Sequence, residues 1–257
     1  MQFSRSVLTL WGVLFASLSL AQNASNETNK PGWSASINVG NTKNDFGNAQ
    51  ERSISLRRHT PLGSIAVEQL NLNRFGYSDS ALALDAYPRL WQGAYANVRY
   101  QHAALPDLYP GKSWRAEVYQ NVGGGWELAA SRDHLGFTSN VKIEGAAIGK
   151  YWGNFYAQIR HQRVSSDGSV GRGDRLMIRY YDKGHADHYL EANLSSGRSD
   201  DFSSALLAGS RSNSRGITWH HFVTREWGFK VSASQANDSS SAGGRARTMG
   251  VGLAYRW

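Results

Sequence analysis

From Gly32 onward, the chain is a succession of short stretches in which apolar and polar residues alternate, separated by clusters of Gly, Asn, Asp and Ser. Alternation with a period of two puts the apolar side chains on one face of an extended strand, so the pattern predicts an all-β fold. Beyond the N-terminal segment, no apolar run approaches the roughly 20 residues that a membrane-spanning helix needs. If the chain crosses a membrane, it does so as strands.

We predict fourteen strands, most of them close to the roughly 9 to 11 residues of a tilted membrane-spanning strand. They cover residues 33–39, 50–58, 64–73, 80–87, 93–102, 113–121, 125–133, 140–149, 154–164, 174–181, 186–195, 214–224, 228–235 and 245–257. Two segments do not fit a regular alternation of apolar and polar residues. The apolar parity changes between Ile65 and Leu72, which suggests a bulge or a misplaced strand boundary. Residues 202–208 could hold a short strand or a helix. Twelve strands are therefore the alternative.

The predicted connections alternate in length. Short turns are expected at residues 59–63, 122–124, 150–153, 182–185 and 225–227, and longer polar loops at 103–112, 165–173, 196–213 and 236–244. Outer-membrane barrels have short periplasmic turns and longer outer loops, whereas a soluble sandwich has no reason to lengthen every second loop. The sequence thus predicts a single antiparallel transmembrane β-barrel over residues 32–257, located in the outer membrane.

The N-terminal segment predicts export. Arg5 precedes an apolar run over residues 7–20, and Ser19-Leu20-Ala21 is a small-residue cleavage pattern. We therefore expect a cleaved signal peptide at residues 1–21 and a disordered periplasmic leader at 22–31. The composition includes no cysteine, which excludes a disulfide scaffold in the oxidising compartment.

The chain is basic, with a formal net charge of +8, of which the expected signal peptide removes one at Arg5. A basic balance suggests acidic partners. For an exported chain, nucleic acid is excluded, and the expected partners are outer-membrane lipid and lipopolysaccharide, with an anionic saccharide as a further candidate. A charged surface that only maintains solubility is the alternative.

The clearest strands show which residues should face lipid. On the last strand, the apolar residues fall on one face and small or polar residues on the other; the apolar set is Met249, Val251, Leu253, Tyr255 and Trp257. An aromatic residue at the end of such a strand resembles the signal read by the bacterial barrel-assembly machinery, which is an expected partner. Aromatic residues near segment ends suit two interfacial girdles: Trp33, Trp91, Trp114, Trp126, Tyr151, Trp152, Trp227, Tyr255 and Trp257.

Several motifs from about Asn73 onward resemble the YaiO family of outer-membrane β-barrels. They are residues 84–90 (LDAYPRL), Tyr109-Pro110 with Arg115, Glu117 and Tyr119, Gly125-Trp126-Glu127 with Arg132, Leu135 and Phe137, residues 148–154 (IGKYWGN), and Arg179-Tyr180-Tyr181. Residues 131–134 (SRDH) depart from the family pattern. The resemblance implies a membrane barrel related to those that end exopolysaccharide secretion proteins, and it assigns no substrate.

No motif indicates an enzyme or a cofactor. The histidines and serines fall in no nucleophile elbow, and His220-His221 lie within one strand, where neighbouring rings point to opposite faces. Asp182, His185 and His188 crowd one turn, but turn chemistry explains them and no metal-ligand spacing matches. We therefore predict no catalytic residue, no metal and no cofactor, with a lipid-modifying enzyme as a distant alternative.

The candidate functional residues are those expected to line the lumen. They are Arg99, Arg115, Glu117, Tyr119, Glu127, Arg132, Tyr156, Arg160, Arg175, Arg179 and Glu191. Two interpretations apply: the arginines form a basic lining for anionic solutes with tyrosines as stacking surfaces, or they pair with carboxylates inside the barrel. The function expected from these features is a narrow channel or accessory barrel for surface polysaccharide or small solutes, and the alternative is a structural or adhesion barrel that acts through its outer loops.

Overall fold

The computed structural model describes residues 32–45, 47–74, 76–137, 139–166, 169–182, 185–199, 211–238 and 244–257. The expected signal peptide at residues 1–21, the expected leader at 22–31 and the ambiguous segment at 202–208 lie outside the described residues. No helix within these ranges is long and apolar enough to cross a membrane.

The described chain forms fourteen strands of 10 to 14 residues. They are β1 (Gly32–Asn44), β2 (Gly47–Thr60), β3 (Gly63–Arg74), β4 (Tyr77–Pro88), β5 (Ala94–Ala103), β6 (Lys112–Gly123), β7 (Trp126–Gly136), β8 (Asn140–Trp152), β9 (Phe155–Ser166), β10 (Ser169–Tyr181), β11 (Tyr189–Ser199), β12 (Arg211–Phe222), β13 (Trp227–Asp238) and β14 (Arg245–Arg256). The predicted all-β architecture of about fourteen strands is confirmed.

Each strand pairs antiparallel with its neighbours in sequence, and β1 pairs with β14 to close the barrel. The closure continues to the last residue, since Trp33 N–H donates to the Trp257 carbonyl at 2.9 Å and Trp257 N–H donates to the Trp33 carbonyl at 3.0 Å. Because a closed sheet has no edge strand, backbone N–H and C=O groups find their hydrogen-bond partners within the sheet, as the water-free core of a bilayer requires. Gly32, where the described residues begin, and Trp257 lie at the end of the barrel opposite the longer connection at residues 104–111, and we take this end as the periplasmic end.

The alternation of faces agrees with the sequence pattern. On β14, Met249 is 72% and Leu253 is 51% exposed on the outer face, while Gly250 and Gly252 face the lumen. Aromatic side chains surround the periplasmic end, as expected for an interfacial girdle: Trp33, Trp91, Trp126, Trp152, Trp227, Tyr255 and Trp257. Trp114 lies toward the other end. Tyr151 is a correction, because it faces inward with its ring 4.3 Å from that of Tyr156.

The connections at the outer end are less uniform than the sequence predicts. The loop expected at residues 165–173 is wrong, because β9 continues to Ser166 and β10 begins at Ser169, and the two strands remain paired to their ends. Residues 165–166 and 169–173, which were predicted as parts of a loop, are therefore strand residues. Residues 104–111 do form a longer connection, between β5 and β6.

The bulge expected in β3 is also wrong. This strand pairs with β2 and β4 in continuous register. Ile65 and Val67 point outward, whereas Leu70 and Leu72 point inward and are 6% and 5% exposed. The parity changes because the interior of the barrel is apolar at this position.

The Gly123-Gly124-Gly125 sequence forms a tight periplasmic turn between β6 and β7. All three glycines have positive φ, from 57° to 91°, a region that favours glycine. A Cβ on Gly125 would lie 2.6 Å from the Tyr151 carbonyl oxygen, so the turn also depends on close backbone contact with β8.

Candidate functional site in the barrel interior

The interior has two unlike sides. On β3 to β11, large charged and aromatic side chains point inward and are mostly buried; we call this inward face the charged wall. It carries ten of the candidate residues: Arg99, Arg115, Glu117, Tyr119, Glu127, Tyr156, Arg160, Arg175, Arg179 and Glu191. Arg132 is a correction. It is exposed on the outer face of β7, where the inward positions belong to Glu127, Ser131 and Asp133.

Arg99 connects two carboxylates at the middle of the charged wall. Its Nη1 lies 2.9 Å from both Glu68 Oε2 and Asp85 Oδ2. Asn97 Nδ2 donates to the other Asp85 oxygen at 2.6 Å. A buried guanidinium is tolerated because its charge is matched and its hydrogen bonds are made.

Further ion pairs continue around the wall. Arg115 Nε donates to Asp133 at 2.5 Å, and Arg160 forms an ion pair with Glu117.

Arg179 donates to Glu191 Oε2 from Nε at 3.2 Å and from Nη2 at 2.6 Å. Arg175 lies 3.7 Å from the same carboxylate. The arginines expected from the sequence therefore face carboxylates, an arrangement that favours the pairing interpretation over a basic lining.

The tyrosines of the charged wall are also occupied. Tyr95 and Tyr119 stack with their ring centroids 4.5 Å apart. Tyr95 and Tyr156 donate to the two oxygens of Glu127, at 3.1 and 2.8 Å. These rings pack against each other and against protein, so they offer no free stacking face. Tyr95 was not predicted, although its odd position on β5 shares a face with Arg99.

The opposite side is built of small residues. The inward positions of β12, β13, β14 and β1 form the small-residue wall: Ser214, Gly216, Thr218, Ser232, Ser234, Thr248, Gly250, Gly252, Ser36, Asn38 and Gly40. All of these residues except Thr218 are partly or fully exposed, in contrast to the charged wall. Since they point away from lipid, the solvent that reaches them lies inside the barrel. The open part of the lumen is therefore off-centre.

Lys230 is the large side chain on this wall. It points inward from β13, beside Gly252 and His220 in the pairing register. It lies within electrostatic reach of Glu191, Glu51 and Glu68, which belong to β11, β2 and β3. No salt bridge joins Lys230 to another described residue. Lys230 follows Trp227 by three residues on β13, so this cation lies nearer the periplasmic end of the passage than the outer end.

The connection at residues 104–111 folds back into the outer mouth. Asp79 Oδ2, on β4, accepts the backbone N–H groups of Leu108 and Tyr109, at 2.9 and 2.8 Å. The Tyr109 side chain is 1% exposed and packs in a cluster with Leu70 and Leu72. Burial also raises the pKa of the Tyr109 phenol. This contact explains why two leucines of β3 face the interior.

Four histidines lie close together at the periplasmic end: His185, His188, His220 and His221. His188 Nδ1 lies 3.0 Å from His221 Nδ1, and His220 Nδ1 lies 3.0 Å from the Asp187 carbonyl oxygen. Partial burial and the neighbouring His221 lower the pKa of His188. Within the described ranges, no group of three or more His, Asp or Glu side chains is placed to hold a metal ion.

Solved structures with a similar fold are outer-membrane barrels. A structure described as a bacterial polysaccharide outer membrane secretin has a TM-score of 0.59 at 7% identity, over 90% of this chain and 100% of that one. The COG4313 outer membrane channel from Pseudomonas putida F1 has a TM-score of 0.59 at 10% identity, over 92% and 98%. The outer membrane protein Omp33 of Acinetobacter baumannii has a TM-score of 0.52 at 12% identity, over 88% and 99%. At these identities the likeness shows the fold alone.

No curated protein sequence matches the chain significantly. The model of the YaiO membrane beta barrel domain matches residues 30–202, which is well over half of the chain. With the closed fourteen-strand barrel and its apolar outer face, this match places the protein in the outer membrane, in contact with lipid. The chain belongs to the family of the YaiO membrane beta barrel domain.

Proposed function

We propose that this barrel is a narrow channel for small hydrophilic solutes, with its passage along the small-residue wall. The observation that carries the proposal is the asymmetry of the interior: β3 to β11 fill their side with paired charges and stacked tyrosines, while β12 to β14 and β1 leave theirs open. Fourteen strands lie between the eight that side chains nearly fill and the sixteen to eighteen of open porins.

The residues along this passage suit uncharged, hydroxyl-rich solutes. Serine, threonine and asparagine side chains both donate and accept hydrogen bonds, as sugar hydroxyls do. The arginines of the charged wall are matched by carboxylates, so they add little net field to the passage. Lys230 and Glu51 carry opposite charges and leave no strong preference for either sign. A small saccharide is the solute class that this lining fits best.

Planar-bilayer recording tests whether the passage exists. The refolded protein should give stable, small conductance steps. Ser36→Tyr adds a ring on the small-residue wall and should reduce the conductance, whereas Ile37→Tyr, at the adjacent lipid-facing position that is 53% exposed, should leave it unchanged. A silent wild-type barrel, or equal conductance in both variants, would contradict the proposal.

Liposome swelling tests the solute class. We expect faster swelling with neutral mono- and disaccharides than with sugar acids of similar size. A clear preference for sugar acids would instead restore the basic lining and the anionic saccharide as partner. Entry of linear oligosaccharides would support the more specific role in surface-polysaccharide passage.

We also propose that the barrel-assembly machinery recognises β14. Its outward apolar residues end at Trp257, and its backbone bonds to Trp33 close the barrel. Tyr255→Asp places a charge on this face and should lower the amount of heat-modifiable, folded protein in outer membranes. An equal change at Arg256, which faces inward, is the comparison; an equal loss from both would argue against recognition of the apolar face.

A further inference from the structure

A row of positive charge crosses the outer face of the barrel near its outer end. Arg215, Gln235, Arg247 and Lys43 are successive partners in the pairing of β12, β13, β14 and β1, and we call them the basic row. Adjacent strands are about 4.8 Å apart, so the four side chains span about 14 Å. The three cations are all exposed.

Without a bound anion, the repulsion between these cations destabilises the sheet. Lys43 and Arg247 are directly opposite each other on adjacent strands, and like charges in that relation destabilise a sheet. No Asp or Glu faces outward on the described parts of β12, β13, β14 or β1. The Asp45 carboxylate, which accepts the backbone N–H of Arg245 at 2.9 Å, lies two residues beyond Lys43 and supplies one negative charge against the three cations of the row. A bound anion would supply the missing countercharge.

The Lys43 end of the basic row lies at the height on the barrel where lipid headgroups are expected. Lys43 follows Trp33 of the periplasmic girdle by ten residues on β1. At about 3.4 Å per residue and a tilt of about 40°, this separation is about 26 Å along the barrel axis. The apolar band of outer-membrane barrels is about 25 Å tall. Lys43 and its register partner Arg247 therefore lie at the outer edge of the hydrocarbon layer, and Arg215, seven residues from the end of β12 at Phe222, lies lower.

A shallow groove beside the row has the character of a lipid site. Its lining combines the apolar side chains of Ile159, Leu176 and Leu194 with Arg215 and Arg245. One carboxylate, Asp174, also lines the groove and pairs with His161. Leu194 is the register partner of Arg215, so apolar and basic surface meet within one strand pair. A ligand in this groove would need acyl chains below an anionic head.

The geometry points to a binding site for a phosphorylated glycolipid of the outer leaflet, with its phosphates on Lys43, Arg247 and Arg215 and its acyl chains on Leu194 and Leu176. Arginine and lysine form short, charge-assisted hydrogen bonds with phosphate oxygens. The site lies on the outside of the barrel and is independent of the proposed channel.

The opposite side of the barrel provides a matched comparison. There, Arg132 and Lys142 also face outward, but no arginine or lysine lies directly opposite either of them. Arg132 pairs with Ala116 and Glu144, and Lys142 pairs with His134 and Ser165. A bound phosphate is not needed to separate these two cations. Removal of two charges on this side should therefore leave lipid binding nearly unchanged.

Native mass spectrometry of the folded protein in detergent, with added bisphosphorylated lipid A and a chelator of divalent cations, tests the site. Lys43→Gln/Arg247→Gln should weaken binding about tenfold or more, since two charge-assisted contacts are lost. Arg132→Gln/Lys142→Gln should change it less than about twofold. Leu194→Gln should also weaken binding, and dephosphorylated lipid A should bind poorly to the wild type.

Four results would overturn the inference: equal weakening by the two double variants, equal binding of dephosphorylated lipid A, no effect of Leu194→Gln, or displacement of lipid A by millimolar inorganic phosphate. The last would indicate an isolated phosphate site rather than a lipid site. Heat-modifiable migration and unchanged bilayer conductance verify that each variant is folded.

Discussion

Asp79 Oδ2 accepts the backbone N–H of Tyr109 at 2.8 Å and thereby fixes the connection between β5 and β6 to the inside of β4. The same oxygen accepts the N–H of Leu108, so one carboxylate satisfies two backbone donors inside the outer mouth. Residues 104–111 therefore act as a fixed part of the lumen wall, and their position limits how much of the mouth is free.

Asp79→Ala should release this connection. Each hydrogen bond to a charged group stabilises by about 1.5 to 3 kcal/mol, so the loss of two should reduce the inward population more than about tenfold. We expect larger and noisier single-channel conductance. Asp174→Ala, which removes an exposed carboxylate paired with His161 on the outer face, is the matched control. Identical traces from the two variants would mean that the connection does not narrow the mouth.

The Arg160–Glu117 pair should behave as a buried ion pair. Arg160→Met leaves the Glu117 carboxylate, which is 1% exposed, without its cation and should lower the free energy of unfolding by about 3 to 5 kcal/mol. The double variant Glu117→Gln/Arg160→Met should recover much of the loss because no buried charge is left. Urea titration of folding into lipid bilayers measures both values.

Arg132→Met, on the outer face of the neighbouring strand β7, is the control for this measurement. An exposed substitution of this kind should change stability by no more than about 0.5 kcal/mol. If Arg132→Met costs as much as Arg160→Met, the assignment of inner and outer faces on β7 and β9 is wrong.

The fate of Arg132 also shows what alternation can predict. If Glu127 faces inward, then every second residue after it does so too, which gives Asp133 rather than Arg132. Both Glu127 and Arg132 were predicted to face the lumen, which the alternation of a regular strand does not allow. The alternation prevails, because a shift of the strand by one residue would turn Leu128 from the lipid into the lumen. The strand count, the closure at Trp257 and most of the charged wall follow from the same periodicity.

Other features depend on contacts that no local pattern encodes. Leu70 and Leu72 face inward because Tyr109, on a distant connection, packs against them. The small-residue wall was predicted on β14, where the apolar residues mark the opposite face. It was not predicted on β12, β13 and β1, since serines and glycines carry no signal for direction when both faces of a strand are small. That this wall borders the open part of the lumen can be recognised only in the closed barrel, where β14 pairs with β1 and the large residues of the other strands lie opposite.

Lys230 should set the ion preference of the passage. It is an inward cation of β13, with Glu51, Glu68 and Glu191 within electrostatic reach. Lys230→Gln removes one positive charge from the lumen and should shift the reversal potential in a salt gradient toward cations. Lys142→Gln, on the outer face of β8, changes the net charge equally and should have no effect. An equal shift in both would show that distant surface charge, not the lumen, sets selectivity.

The contact between His188 and His221 should make the periplasmic turn sensitive to pH. With Nδ1 of one ring 3.0 Å from Nδ1 of the other, one ring must be unprotonated there to accept the hydrogen bond. Partial burial and His221 lower the pKa of His188 below its ordinary 6.5. An opened turn would bind the proton more readily, so the contribution of this contact to stability is present at pH 7.5 and is lost as the pH falls through 6.5 toward the lowered pKa.

Hydrogen exchange of the backbone amides at residues 185–190, corrected for intrinsic rates, should therefore increase between pH 7.5 and pH 5. His188→Gln removes the ionising ring and should make the exchange of this turn independent of pH over that range. The segment around His102, at the other end of the barrel and bonded through Nδ1 to the Gly111 carbonyl oxygen, is an internal reference. If the variant keeps the full pH dependence, the opening is governed by another group, and the salt bridge of Asp187 with Arg256, 2.7 Å across the same end, is the next to test.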